Sequence, residues 1–142
     1  MFSKATEYAL RATIFIAQKS SEETKLGLDD IAKSIKSPRS FTAKILQQLT
    51  AGNKIISSIR GPGGGFFMTK NAKMLPVKAI LSAMEDDDVL DKCVLGLKKC
   101  SDIKPCPMHN QYKTIKEQLK NLFVSKTIQD LADEMETSER YL

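Results

Sequence analysis

Residues 60–65 read Arg-Gly-Pro-Gly-Gly-Gly, and neither a helix nor an unbroken strand runs comfortably through them. Glycine tolerates left-handed backbone because it has no Cβ, and proline lacks the amide N–H of a ladder, so the chain turns here. β-prone residues flank the turn. Lys54 to Ile59 precedes it, with Ile55, Ile56 and Ile59; Phe66 and Phe67 open a second run to about Thr69. The pattern predicts a β-hairpin. No Gly-Lys-Ser/Thr follows the glycines and no helix opens after them, which argues against a P-loop, and the Gly-x-Gly-x-x-Gly dinucleotide fingerprint is missing.

The residues before the hairpin read as helices. Ala5, Tyr8, Ala9, Ala12, Phe15 and Ile16 follow the spacing of one buried helical face, which ends in the polar stretch Lys19 to Lys25. A short helix from about Leu28 to Ile35 carries Leu28, Ile31, Ala32 and Ile35, with Asp29 and Asp30 in its first turn, where the helix dipole favours anions. Ser37 is then expected as N-cap and Pro38 as first residue of a third helix reaching about Thr50. Its core side is Phe41, Ile45, Leu46 and Leu49, leaving Arg39, Ser40, Thr42, Lys44, Gln47 and Gln48 for solvent or a ligand. Two short helices with a polar, basic outer face on the second form a helix-turn-helix pattern, and a hairpin attached to it is a wing. Arg60 is suited to a narrow minor groove or a phosphate.

Charge agrees with this order. Residues 1–80 hold 13 Lys/Arg against 5 Asp/Glu, whereas residues 81–142 hold 9 against 12. A basic first half suits duplex DNA, since Lys and Arg release counterions from phosphates. No apolar run approaches the ~20 residues that span a bilayer, and the N-terminal stretch, with Glu7 and Arg11 among its apolar positions, lacks a signal peptide's apolar core. The expected location is the cytoplasm, with no membrane role. No catalytic constellation is visible, so the chain is read as not an enzyme.

Beyond the hairpin, a helix from Leu75 to Met84 is followed by the acidic run Glu85 to Asp88, read as a solvated helix end. An irregular loop over residues 87–107 holds Cys93, Cys100 and Cys106, all the cysteines of the chain. His109, the one histidine, lies three residues after Cys106. An odd cysteine count in a cytosolic setting favours metal or thiol chemistry over disulfides. Thiolates are soft ligands, and their wide spacing here suits a [2Fe–2S] or [4Fe–4S] iron–sulfur cluster better than zinc, whose sites commonly use Cys-x2-Cys knuckles. Zinc and reactive thiols without a cluster are the alternatives. Tyr112, Ile115, Leu119 and Leu122 then mark an amphipathic helix of about fifteen residues, which packs either on its counterpart in a second chain or on the first helix of its own. Thr127 and Asp130 start a last helix with Ile128, Leu131 and Met135.

Taken together, Lys4-Ala-Thr-Glu-Tyr-Ala-Leu-Arg11, the wing Arg60-Gly-Pro-Gly-Gly-Gly65 and the cysteine trio resemble the Rrf family of bacterial transcription regulators, of IscR/NsrR type. The resemblance implies a mainly α fold with a small β-hairpin wing, a winged helix-turn-helix over residues 1–80, and a cysteine loop and long dimerisation helix over residues 81–142. It implies a homodimer that binds double-stranded DNA under control of an iron–sulfur cluster. Cys93, Cys100 and Cys106 match the cluster ligands. The fourth ligand matches His109, or alternatively Glu7 of a partner subunit. Arg60, Gly61, Gly63 and Gly64 match the DNA-contacting wing, and Arg39, Ser40, Thr42 and Lys44 fall on the recognition helix. A DNA-binding regulator sensing through thiols or zinc, and a small redox protein without a DNA role, are the other readings of these residues.

Overall fold

The structure is a computed structural model that describes residues 2–93, 95 and 103–137. Helix α1 (Lys4–Lys19) starts where Ser3, in extended conformation, accepts the Thr6 N–H on its Oγ at 3.1 Å. It runs through the middle of the fold and meets other helices on several sides. That is why Ile14 and the polar Thr6 and Thr13 are buried besides Ala9, Ala12 and Ile16. Thr13 meets burial by donating its hydroxyl to the Ala9 carbonyl at 2.7 Å.

Helix α2 (Leu28–Ile35) has the expected bounds. Asp30 accepts the Gly27 N–H at 3.3 Å at its start, and Lys36 closes it in left-handed conformation. Helix α3 (Arg39–Leu49) follows after the turn. Strands β1 (Ser57–Ile59) and β2 (Gly65–Phe67) form the antiparallel hairpin, with Ser57 opposite Phe67 and Ile59 opposite Gly65. The first strand is shorter than expected, because Ile55 and Ile56 turn into the core instead of pairing. Leu26 supplies a third rung that the sequence did not announce: it exchanges two backbone hydrogen bonds of 2.8 Å with Phe66. The wing is thereby tied to the start of α2.

A one-turn helix that the sequence did not announce, α4 (Lys70–Lys73), comes first, and the helix expected from Leu75 to Met84 is present as the shorter α5 (Lys78–Ala83). Thr69 caps α4 by accepting the Ala72 N–H at 3.1 Å, and Pro76 separates the two. A single 3-10 turn, Asp87–Leu90, leads to the cysteine segment. Helix α6 (His109–Ser125) and helix α7 (Ile128–Thr137) are the last two elements of the described residues. Thr127 and Asp130 form the expected reciprocal cap, at 2.9 and 3.0 Å.

The core joins α1, α2, α3, α5 and the base of the wing through Ile16, Ile31, Ile35, Ile45, Leu46, Ile56, Met68 and Ile80. Each such aliphatic side chain stabilises the fold by roughly 1.5–3 kcal/mol on burial. Helix α7 returns to this core. Ile128 and Ala132 are buried in it, Ile128 N–H donates to the Leu75 carbonyl at 3.0 Å, and the Gln18 side chain donates to the Ala132 carbonyl at 3.1 Å. Helix α7, not α6, is thus the main late-sequence helix against α1. Along α6 only His109 is buried, and Ile115, Leu122 and Val124 are about half exposed, at 57%, 48% and 56%. Among the described residues no helix is long and apolar enough to cross a membrane.

Candidate DNA interface and cysteine region

The outer side of α3 carries Arg39, Ser40, Lys44, Gln47 and Gln48, all exposed. Thr42 is a correction. It was grouped with this outer face, but it is fully buried and donates its hydroxyl to the Pro38 carbonyl at 2.9 Å. Positions 42, 45, 46 and 49 follow the i, i+3, i+4, i+7 rule, so Thr42 shares the stripe of Ile45, Leu46 and Leu49. That spacing was legible; residue polarity masked it. The helix start is corrected too. Pro38, with extended ψ of 144°, is the N-cap and Arg39 the first helical residue. Ser37 is buried and does not cap the helix with its side chain. Phe41 is half-buried and meets the Tyr8 ring edge-on, centroids 5.6 Å apart.

Arg39 is not loose on this surface. Its Nε–H donates to Asp29 Oδ1 at 2.7 Å, across the turn between α2 and α3. Lys44 and Arg60 have no ion-pair partner among the described residues. Arg60, Gly61, Pro62 and Gly63 form an exposed tip. Gly61 and Gly63 have φ of 93° and 76°, with open space around the position of a Cβ. Gly64 differs. A Cβ there would lie 2.2 Å from the Ile59 carbonyl oxygen, so its bareness closes the hairpin on itself. Gly65 is similar, facing the Leu26 carbonyl at 2.6 Å.

Cys93 is buried and Cys106 half-buried. His109 is buried as the first residue of α6, and its backbone N–H donates to the Cys106 carbonyl at 3.0 Å. Cys100 lies outside the described residues. Among the described residues no three His, Cys, Asp or Glu side chains gather as a metal site. Two thiols and an imidazole nevertheless lie close along the chain within residues 93–109, and these residue types suit a soft metal or a cluster. Glu7 sits exposed on the first turn of α1, 3.5 Å from Lys4 Nζ.

The acidic run before the cysteines, expected to be solvated, makes specific bonds. Asp86 accepts the Ser3 N–H at 3.0 Å at the head of α1. Partial burial raises the Asp86 pKa, but hydrogen bonds from Ser3 and Thr6 and the charge of Lys92 outweigh it and leave it lowered. Asp91 pairs with Lys120 in the middle of α6, and its carbonyl accepts from Lys116 at 3.4 Å. The Lys120 bond is the main reason its pKa is lowered. Sequence reasoning missed both, since each joins residues distant along the chain.

The fold recurs in known proteins. A family described as Rrf2, iron-dependent transcriptional regulator, matches residues 2–134. A putative HTH-type transcriptional regulator of Aquifex aeolicus (strain VF5) is 32% identical over 133 residues, covering 92% of this chain and 90% of that one. The structure of CymR, the global cysteine regulator of B. subtilis, superposes with a TM-score of 0.74 at 21% identity, covering 94% and 97% of the two chains. That of T. potens IscR superposes with a TM-score of 0.72 at 16% identity, covering 100% and 93%. The superpositions bear out the fold class, a winged helix-turn-helix with a long helix beyond it. With a family match over nearly its whole length, the chain belongs to the Rrf2 family of transcriptional regulators.

Proposed function

We propose that this regulator binds duplex DNA as a homodimer and that an iron–sulfur cluster held by Cys93, Cys100, Cys106 and His109 sets its affinity. Residues 1–80 would read the DNA and residues 81–142 control it, with α7 reaching back to complete the core of the first part. The carrying observation is the junction at α6. Cys106 is bonded through its carbonyl to His109, the first residue of that helix, while Asp91, two residues before Cys93, pairs with Lys120 in its middle. A change in how residues 93–106 are held therefore reaches α6 directly.

The half-exposed Ile115, Leu122 and Val124 support a second copy as the partner of α6. Two recognition helices on a dimer must match half-sites about 34 Å apart or a multiple of it. A small shift of α6 then alters affinity. A bound cluster supplies a redox-active group that oxidants or nitric oxide can modify. The protein works in the cytoplasm in this reading and has no catalytic role. Anaerobic purification, absorption spectroscopy and iron, sulfide and zinc analysis test it, with DNA binding measured before and after cluster removal. Equimolar zinc without sulfide, or no metal with thiol-dependent binding, would replace the cluster by the zinc or thiol reading. Absence of DNA binding in every state would leave a redox protein without a DNA role.

A further inference from the structure

The ion pair between Asp29 and Arg39 spans the turn of the helix-turn-helix on its exposed side. Both side chains are largely solvent-accessible, at 80% and 69%. An exposed pair of this kind adds little to stability, so its geometry carries more meaning than its energy. Arg39 is the first residue of α3, the end of a recognition helix that ordinarily meets base edges. The bond uses Nε only. Both terminal amino groups of the guanidinium are left, and they form the planar fork that recognises two acceptors side by side.

Asp29 is also well placed to be a dedicated holder. Its neighbour Asp30 is engaged by the Gly27 N–H. Among the described residues, Asp29 has no polar side-chain partner other than Arg39. Lys33, Lys36 and Lys44 are exposed on the same two helices and their connection. An unheld arginine amid these cations would bind any phosphate. A carboxylate on its Nε restrains the side chain and offsets part of its charge, which weakens phosphate binding and leaves the fork to a base.

We infer that Asp29 is a specificity-determining residue, which orients Arg39 for bidentate contact with a guanine in the major groove and suppresses its use on backbone phosphate. The inference rests on the reading that α3 enters the major groove of DNA.

The test is a selection from a randomised duplex library by the full-length protein, with wild type, Asp29→Asn, Arg39→Ala and Arg60→Ala compared. Binding to random-sequence duplex is titrated alongside over a range of salt. Thermal unfolding of each variant checks the fold, which the exposure of both residues should leave intact. The wild type is expected to enrich a guanine at one position of each half-site. Arg39→Ala should lose that preference by about tenfold. Asp29→Asn should relax the same position, bind random duplex several-fold more tightly, and steepen its salt dependence by up to about one phosphate contact. Arg60→Ala should keep the preference while losing affinity on all sequences. If Asp29→Asn selects the wild-type site with unchanged preference, the role of Asp29 is overturned while DNA reading by α3 stands. If the wild type enriches no sequence, the reading of α3 falls, and this inference falls with it.

Discussion

The carboxylate of Asp91 accepts a charge-assisted hydrogen bond from the ammonium of Lys120, which ties the approach to Cys93 to the middle of α6. The Lys120 bond outweighs desolvation and holds the Asp91 pKa below its ordinary value. Its contribution to stability is therefore full above the unfolded value of about 4 and is lost as pH falls through the lower folded value. Asp91→Asn should unfold more readily than wild type near neutrality. The gap between their urea midpoints should narrow on acidification to about pH 3, below the unfolded value. A constant gap across that range would count against the pair.

Thr42 sits on the buried stripe of α3 with its hydroxyl on the Pro38 carbonyl. Thr42→Val keeps the shape and loses one hydrogen bond, so it should destabilise by about 1 kcal/mol and leave DNA affinity nearly unchanged. Lys44→Ala, on the exposed side, should do the reverse. Denaturant midpoints and fluorescence anisotropy with labelled duplex DNA separate the two effects.

Gly64 has no room for a side chain, whereas Gly61 has open space and only its positive φ to satisfy. Gly64→Ala must push the Ile59 carbonyl away and open the hairpin. Gly61→Ala should cost about 1–2 kcal/mol of backbone strain and retain the wing. The amide signals of Ser57 to Phe67 in NMR spectra report the difference. Gly64→Ala should displace most of them; Gly61→Ala should displace those of the tip.

Ile128 is fully buried where α7 meets the core. Ile128→Ala should destabilise the whole fold by about 2–5 kcal/mol. By the same argument, a fragment of residues 1–80 lacks a wall of its core and should melt well below the full chain. Thermal unfolding of the fragment checks this directly.

The face of α6 containing Ile115 and Leu122 is half-exposed. If a second copy covers it, Ile115→Glu with Leu122→Glu should convert a dimer to a monomer in sedimentation equilibrium, with little loss of monomer helicity. DNA affinity should fall by orders of magnitude, because two half-sites no longer bind as one unit.

Much of this was legible residue by residue. The spacing Leu28, Ile31, Ala32, Ile35 defined α2 within its observed bounds, and Thr127 with Asp130 marked the start of α7. The glycine-rich turn announced the hairpin. Thr42 is polar in type yet apolar by helical period, and its burial follows the period. Helix α4 was not legible because it is a single turn, and Thr69, its cap, is also the residue at which the β-prone run ends.

By itself the sequence determined α2, the reciprocal cap that opens α7 and the turn of the hairpin, and it set three cysteines and the one histidine within residues 93–109. These follow from spacing and residue chemistry over a few positions, where each choice is made locally. Only the tertiary structure decided which apolar faces meet. It seated α7 on α1 and left α6 half bare, and it paired Asp86 with Ser3, Asp91 with Lys120 and Leu26 with Phe66. Several amphipathic stripes of similar width competed for the same core, and their periodicity is identical whichever neighbour covers them. The choice lies in shape and in loop closure across long separations, 83 residues for Ser3 and Asp86 and 114 for Gln18 and Ala132.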